Sequence, residues 1–200
     1  MAGSSLRATV LHAAVDYIAE HGPDGLSFRQ VAAAAGVSHQ APYHHFSDRR
    51  GIFEAIALEG FGLFAEALRE AANSGADDPA VAMLDRYVEF ALSHRGHFRV
   101  MFRPDLNGLA ESPELATTAE AAFNVLVDHV ERTLGAKASL EDLRARVTAM
   151  WALAHGLAVL LIDGPLEAKL GPVADRAALV RAVAAQSGLG DAALRTKRRS

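Results

Sequence analysis

Two hundred residues, half of them hydrophobic, are enough to bury one large or two small helical cores. The chain has no cysteine, which excludes disulfides, thiol redox sensing and Cys-ligated metal sites. A formal net charge of −4 leaves no overall basic excess, so any affinity for a polyanion must come from how charge is distributed.

Punctuation by Gly, Pro and capping residues divides the chain into helices, with no convincing strand and no internal repeat. A first helix is expected from about Ser5 to His21, stopped by Gly22-Pro23, with Val10, Ala14, Tyr17 and Ile18 facing inward. The stretch from Leu26 to Phe53, LSFRQVAAAAGVSHQAPYHHFSDRRGIF, reads as two short helices joined by a tight turn and followed by the start of a longer one. Ser27 is placed to cap the first of the pair, with Gln30 reaching back to the Ser27 backbone to complete a capping box. Val31, Ala32 and Ala35 form its apolar stripe, Gly36 gives the freedom a sharp reversal needs, and Val37 can plug the corner. Ser38 is expected to cap the second helix, which runs to about His45. Pro42 then falls about four residues past that cap, forfeiting about one helical hydrogen bond.

Two short helices around a glycine turn have the grammar of a helix-turn-helix, whose second helix enters the DNA major groove. Ser38, His39, Gln40, Tyr43 and His44 carry hydrogen-bonding groups suited to that role. Gln40 can pair with an adenine edge, and Ser38, Tyr43 and Arg49 suit phosphates. His39, Gln40 and His44 each admit several base pairings. Pattern alone fits a plain helical hairpin with a solvated polar face equally well.

Beyond this segment a fourth helix begins after Ser47 and carries Ile52, Phe53, Ile56, Phe61, Phe64 and Leu68 as far as Asn73-Ser74-Gly75. Asp78-Pro79 opens a fifth, with Val81, Leu84, Val88 and Leu92 at helical spacing, and His97 to Phe102 forms a short sixth. Ser112-Pro113 opens a seventh, striped by Leu115, Ala119, Phe123, Leu126 and Val130. Ser139 opens an eighth that reaches about Ile162, and Pro172 begins a ninth that Gly188 ends. The remaining LGDAALRTKRRS is read as a disordered basic tail.

The Leu26–Phe53 stretch resembles the N-terminal DNA-binding domain of the TetR (tetracycline-repressor) family of transcriptional regulators. The resemblance rests on Ser27-Phe28-Arg29-Gln30-Val31-Ala32, Ala35-Gly36-Val37-Ser38, Tyr43-His44-His45-Phe46 and the basic Arg49. Ser27 stands where Thr is usual, Arg49 where Lys is usual, and Arg50-Gly51 where an acidic pair is common. It implies an all-α, nine-helix architecture: a three-helix reading head over residues 1–50, a ligand-responsive and dimerising body over 51–188, and the tail at 189–200. It also implies a homodimeric regulator, most readily a repressor that a small molecule releases from a palindromic double-stranded DNA operator. Residues that match the head and would meet DNA are Ser27, Arg29, Ser38, His39, Gln40, Ala41, Pro42, Tyr43, His44 and Arg49. Charge fits this orientation: segment 27–50 is net +2, whereas residues 51–188 carry twelve Lys/Arg against nineteen Asp/Glu.

The eighth helix carries the sequence signal for dimerisation. Leu143, Val147, Met150, Ala154, Leu157 and Leu161 make one apolar stripe and Leu153, Gly156 and Leu160 another, so the helix must be covered on more than one side. In the family the last two long helices pair with those of a second subunit, which places Leu153, Gly156, Leu157, Leu160, Leu161, Val173, Val180 and Val183 at the expected interface. The alternative is a helix buried within one subunit. Trp151-x-x-x-His155-Gly156 resembles the motif of one C-terminal subclass of the family, often called the WHG domain, and His94 to Pro104 is similar to a segment of the same subclass. Trp151 and His155 lie one helical turn apart, on a face continued by Thr148. With Met101, Phe102 and Phe123 they can line an apolar pocket with one polar handle, which suits a hydrophobic effector. The alternative is that both are core residues with satisfied N–H groups.

Nine histidines raise the question of a metal, but His94 and His97 need not share a face and His44 and His45 lie on the head, so no metal and no cofactor are expected. No Gly-x-Ser-x-Gly elbow, His-Glu-x-x-His or phosphate-cradling loop occurs, and no enzymatic activity is expected. The longest uncharged run, Val147 to Ile162, is short of a bilayer span and holds His155, and MAGSSLRAT lacks the apolar core of a signal peptide. A cytoplasmic protein with no membrane partner is the expectation.

Overall fold

Hydrophobic periodicity of about 3.6 governs nearly every segment of the chain, and the computed structural model, which describes residues 2–190, contains helices and no strand among them. In chain order they are α1 Ala2–His21, α2 Phe28–Ala35, α3 Ala41–His45, α4 Arg49–Ala72, α5 Pro79–Ser93, α6 Arg95–Met101, α7 Pro104–Asn107, α8 Pro113–Leu134, α9 Leu140–Ile162, α10 Pro165–Leu170 and α11 Arg176–Ser187. The all-α class is as expected, but the described residues form eleven helices where nine are expected. The two additions, α7 and α10, are single short turns that each open on a proline, whose fixed φ is pre-set for a first helical turn. The last helix starts at Arg176 rather than Pro172, because the Asp175 carboxylate caps it by accepting from the Ala178 N–H at 2.9 Å. Residues 191–200, most of the expected basic tail, lie outside the described residues.

The chain forms two compact units. The first joins the residues up to 63 with 94–120, and the second joins 64–93 with the described residues from 121 onward. The head expected over residues 1–50 is therefore the N-terminal part of a larger unit that also contains α6 and α7.

In the first unit α1 packs on α2, α3 and α6, and α2 on α3. Val10, Ala14, Ile18, Val31, Ala32, Ile52 and Ile56 are fully buried there. Polar struts then fix the 94–111 segment to the head. Arg99 donates to the Ile18 and Ala19 carbonyls at 3.3 and 3.4 Å, satisfying acceptors at the C-terminal end of α1. Arg103 lies 3.9 Å from Asp24. Arg50 pairs with Glu111, and its guanidinium rests on the bare backbone of Gly108. Asn107 is completely buried and pinned: its amide donates to the Val100 and Met101 carbonyls at 2.8 and 3.0 Å and its oxygen accepts from Leu109 N–H at 3.0 Å.

In the second unit α9 packs on α5 and α10, and α5 on α11. Ser139 and Asp142 cap α9 reciprocally, a full capping box. Ala80, Val130, Val147 and Met150 form a core cluster against which Leu126, Val127, Leu134, Leu143 and Leu189 pack. Arg146 closes the end of α11 by donating to the backbone carbonyls of Gly188, Leu189 and Gly190. At 23 residues α9 is long and apolar enough to cross a bilayer. Seven of its residues, including Val147, Met150, Ala154 and Leu157, are nevertheless buried in the chain's own core.

Glycine is required where α6 crosses α1. A Cβ on Gly96 would run into the Val15 carbonyl and stand 2.9 Å from Val15 Cγ1. Gly62 on α4 has nothing within 4 Å of such a Cβ. Gly96→Ala is therefore expected to destabilise the fold by about 1–3 kcal/mol, while Gly62→Ala is expected to be neutral or to stabilise by up to about 1 kcal/mol through helix propensity. Urea denaturation of both variants checks this, and a Gly96→Ala protein as stable as the parent contradicts the close crossing.

Candidate nucleic-acid interface

The first helix of the pair, α2, starts from Ser27 in an extended conformation, whose hydroxyl accepts from the Gln30 N–H at 3.3 Å. The Gln30 side chain does not close the expected capping box. It accepts from the Ser27 hydroxyl at 2.6 Å and donates to the Tyr17 hydroxyl of α1 at 2.7 Å, so it ties α2 to α1 instead of to its own cap. Gly36 ends α2 in the left-handed region at φ 65°, which a glycine adopts without steric cost. Val37 N–H then reaches back to the Ala32 carbonyl at 3.0 Å.

The second helix corrects two expectations. Ser38 does not cap it: residues 38–40 form a turn, the cap position is Gln40 without a side-chain bond, and α3 is only Ala41–His45. Pro42 consequently sits in the first turn, where its missing N–H has no helical acceptor to lose, so the expected forfeit of a hydrogen bond does not arise. Ala41 and Pro42 are also buried. They face the interior of the head and seat α3 on it, which removes their side chains from any role in touching a base or phosphate.

The remaining candidates point outward. Ser38, His39, Gln40, Tyr43 and His44 are exposed, as are Ser27, Arg29 and Arg49. Tyr43 is 61% exposed, yet its ring is held edge-on to Phe28 at 4.5 Å, so the hydroxyl is presented on a braced side chain. Arg49 is partly committed: it donates to the Pro23 carbonyl at 2.9 Å and its guanidinium lies 5.0 Å over the Phe53 ring. Asp48 caps α4 by accepting from the Gly51 N–H at 2.8 Å. Arg7, absent from the sequence reading, adds an exposed cation 5.1 Å over the Phe46 ring just past α3.

The residues expected to line one pocket fall into both units. Met101 and Phe102 belong to the first, where Met101 is buried and Phe102 packs edge-on against Phe61 and Phe98 at 5.6 and 5.2 Å. The other four belong to the second. There Phe123 and Trp151 pack edge to face at 5.4 Å while remaining 39% and 41% exposed, and Thr148 is exposed one turn before Trp151. His155 Nδ1 lies 2.9 Å from the hydroxyl of Tyr87, a residue the sequence reading did not single out. The Trp151 side chain lies beside the same hydroxyl. Burial pushes the Tyr87 hydroxyl far above its ordinary value, with Trp151 opposing it, and burial lowers His155. Tyr87 is also edge-on to Phe64 at 4.9 Å. A buried tyrosine needs a partner for its hydroxyl, which is the signal that pairs Tyr87 with the tryptophan and histidine of α9.

The expected dimer residues divide as well. Leu157, Leu161 and Val180 are buried within the chain's own second unit, which corrects their assignment to a subunit interface. Leu153, Gly156, Val173 and Val183 are half-buried, and Leu160 is 43% exposed. Tyr87→Phe removes the hydroxyl that pairs with the half-buried His155 and is expected to cost about 0.5–1.5 kcal/mol of stability, the net worth of a hydrogen bond. Urea denaturation measures it, and an unchanged midpoint and slope would show that the hydroxyl does not organise the site.

Comparisons with known proteins agree with this geometry. The family described as "Bacterial regulatory proteins, tetR family" matches residues 10–56, and that described as "Tetracyclin repressor-like, C-terminal domain" matches residues 80–186, a span that includes Tyr87, Trp151 and His155. The transcriptional repressor AcnR of Corynebacterium diphtheriae is 37% identical over 67 residues, 34% of this chain and 35% of that protein. A class A tetracycline repressor from Escherichia coli is 43% identical over 49 residues, 24% of this chain and 23% of that protein. The similarity thus spans about a third or less of the length of these curated relatives. Among solved structures, a protein of unknown function from Rhodococcus sp. RHA1 is similar over 96% of this chain and 94% of its own, with TM-score 0.72 and 29% identity. A TetR-family regulator from Marinobacter aquaeolei shares the fold at TM-score 0.66 and 20% identity, over 94% and 96% of the two chains. Matched at both ends, and over more than half its length by the C-terminal family alone, the chain belongs to the TetR family of transcriptional regulators and is not an enzyme.

Proposed function

We propose that the protein is a cytoplasmic, homodimeric, sequence-specific DNA-binding repressor, released from a palindromic operator by a hydrophobic small molecule. The observation that carries the DNA-binding part is the outward set Ser38, His39, Gln40, Tyr43 and His44, held on a turn and the short helix after it, whose inner residues Ala41 and Pro42 are buried. A reading element needs that combination of polar tips and a fixed base, because each misplaced donor loses its base or phosphate partner. Relatives named as repressors support the direction of control.

Supporting a second copy is the surface left open on α9. Trp151, Ala152 and Leu160 are exposed, and a Cβ built on Gly156 meets nothing within 4 Å. An apolar strip with a small residue at its centre suits the close approach of another helix. Two heads about one DNA turn apart multiply affinity and demand a palindromic site. A hydrophobic effector suits the part-exposed Phe123 and Trp151 of the second unit and acts by favouring the conformation that holds DNA less well. Division of the reading head from the rest at about residue 50 belongs to this reading.

Selection of bound fragments from a random DNA pool tests the proposal directly. A palindromic motif is expected, and affinity for it should fall steeply with salt. Gln40→Ala should relax preference at one position of each half-site by about 1–3 kcal/mol, whereas Arg29→Ala should weaken all sequences alike and reduce the salt slope by about 1. No enrichment, or affinity indifferent to salt, refutes the reading. For the dimer, sedimentation should show two copies in the parent and one in Leu160→Glu; a parent that sediments as a single copy at tens of micromolar rejects it.

A further inference from the structure

His97 on α6 is 7% exposed, and neither of its ring nitrogens has a hydrogen-bond partner. Its Nε2 stands 3.6 Å from Glu59 Oε2 on α4, too far for a hydrogen bond, and that oxygen is itself buried without a partner. Unsatisfied buried groups of this kind cost free energy and are uncommon in a well-packed core. The packing around them leaves little slack. A Cβ on Gly60 would stand 2.7 Å from Met101 Sδ and 3.1 Å from His97 Cβ, so α6 lies on the backbone of α4. On its other side Gly96 lies on the backbone of α1 at Val15. Helix α6 is thus seated against two backbones, with an unsatisfied imidazole and carboxylate at one of the contacts.

Three titratable groups act on His97: Glu59 from α4, His94 from its own helix with ring centroids 5.9 Å away, and His12 from α1. Burial lowers the His97 value, Glu59 opposes that, and His94 and His12 act in the same direction as burial. A carboxylate only accepts, so the neutral ring keeps its proton on Nε2, toward Glu59, and a proton from solvent goes to the lone pair of Nδ1. The resulting imidazolium has two N–H donors and one carboxylate oxygen nearby.

We propose that His97 and Glu59 form a proton-responsive joint: with His97 neutral α6 stays seated between α1 and α4, and protonation of His97 unseats it. The sign follows from linkage. An unseated, hydrated His97 binds a proton more readily than the buried one, so seating is intact above the ordinary imidazole value near 6.5 and weakens progressively below it. Because Arg99 of the same helix holds the Ile18 and Ala19 carbonyls, unseating α6 loosens the end of α1 and with it the base of the head.

Hydrogen exchange of the backbone amides of residues 95–101, corrected for the intrinsic rate, tests this on the full chain at about pH 7.5 and about pH 5.5. Protection is expected to drop several-fold on acidification in the parent, to lose that dependence in His97→Gln, and to drop further in Glu59→Gln, which removes the charge that favours the imidazolium. A flat response in the parent, or a parental response retained in His97→Gln, overturns the proposal. Should His97→Gln fail to fold, NMR titration of the imidazoles in the parent decides. A His97 that titrates below about 6.5 together with loss of α6 protection supports the joint, and one that titrates at or above it, with protection indifferent, overturns it.

Discussion

A helix of five residues does not hold itself together in water, because the cost of fixing its first turn exceeds what one or two hydrogen bonds return. Helix α3 exists because Ala41 and Pro42 are pressed into the head and Phe46 is buried directly behind them. Every outward feature of the head depends on that seating. Tyr43 is aimed by its contact with Phe28, and Ser38 to Gln40 lead into α3 through a turn that the left-handed Gly36 makes possible. The residues that matter most for presenting the polar face are therefore small, apolar and hidden, while those that carry the recognition chemistry contribute little to stability.

The same division explains what could be read from the sequence. Helix periodicity, the Ser27 and Ser139 caps and the Gly36 reversal were legible because each is decided within a few residues. The start of α3 was not, because Ser38 offers a plausible cap locally, and only burial of Ala41 and Pro42 against the rest of the head fixes where the helix begins. Helices α7 and α10 escaped for a related reason: a four- or six-residue helix opened by proline looks like a loop in any local window. On α9 the apolar residues run nearly all round, so the sequence alone had no means to say that Leu157 and Leu161 face inward whereas Leu160 faces out.

Charge was the least transferable of the sequence signals. The basic excess over residues 27–50 rests on three arginines, and the fold uses two of them structurally. Arg50 is paired with Glu111, and Arg49 donates to the Pro23 carbonyl. Arg99 and Arg103, which contribute to the charge of the body, likewise act as struts on α1 and the loop after it. An arginine presents several donors in a fixed fork, and a chain with many exposed helix C-terminal carbonyls has uses for it other than phosphate. Of the head's cations, Arg29 and Arg7 remain as exposed positive groups beside the reading face, and Arg7 lies outside the motif that first drew attention to this segment.

Two histidines, one half-buried and one buried, show how the fold treats one residue type in opposite ways. In the second unit His155 is answered: its Nδ1 is hydrogen-bonded to the Tyr87 hydroxyl, and Trp151, one turn away on the same helix, lies beside that hydroxyl. The Trp-x-x-x-His spacing makes sense once both side chains are seen to converge on a third residue from α5, so the motif is better described as three residues on two helices. In the first unit His97 is more deeply buried and has no such partner within bonding distance. Packing interactions could have supplied one at either place, since small shifts of a side chain convert a 3.6 Å gap into a bond. A satisfied polar cluster rigidifies its surroundings, and an unsatisfied one stays responsive to whatever next arrives, whether proton or water. Placed where α6 meets the backbones of both α1 and α4, the second kind of histidine is positioned to transmit a change of charge, which the first kind, locked by its tyrosine, is not.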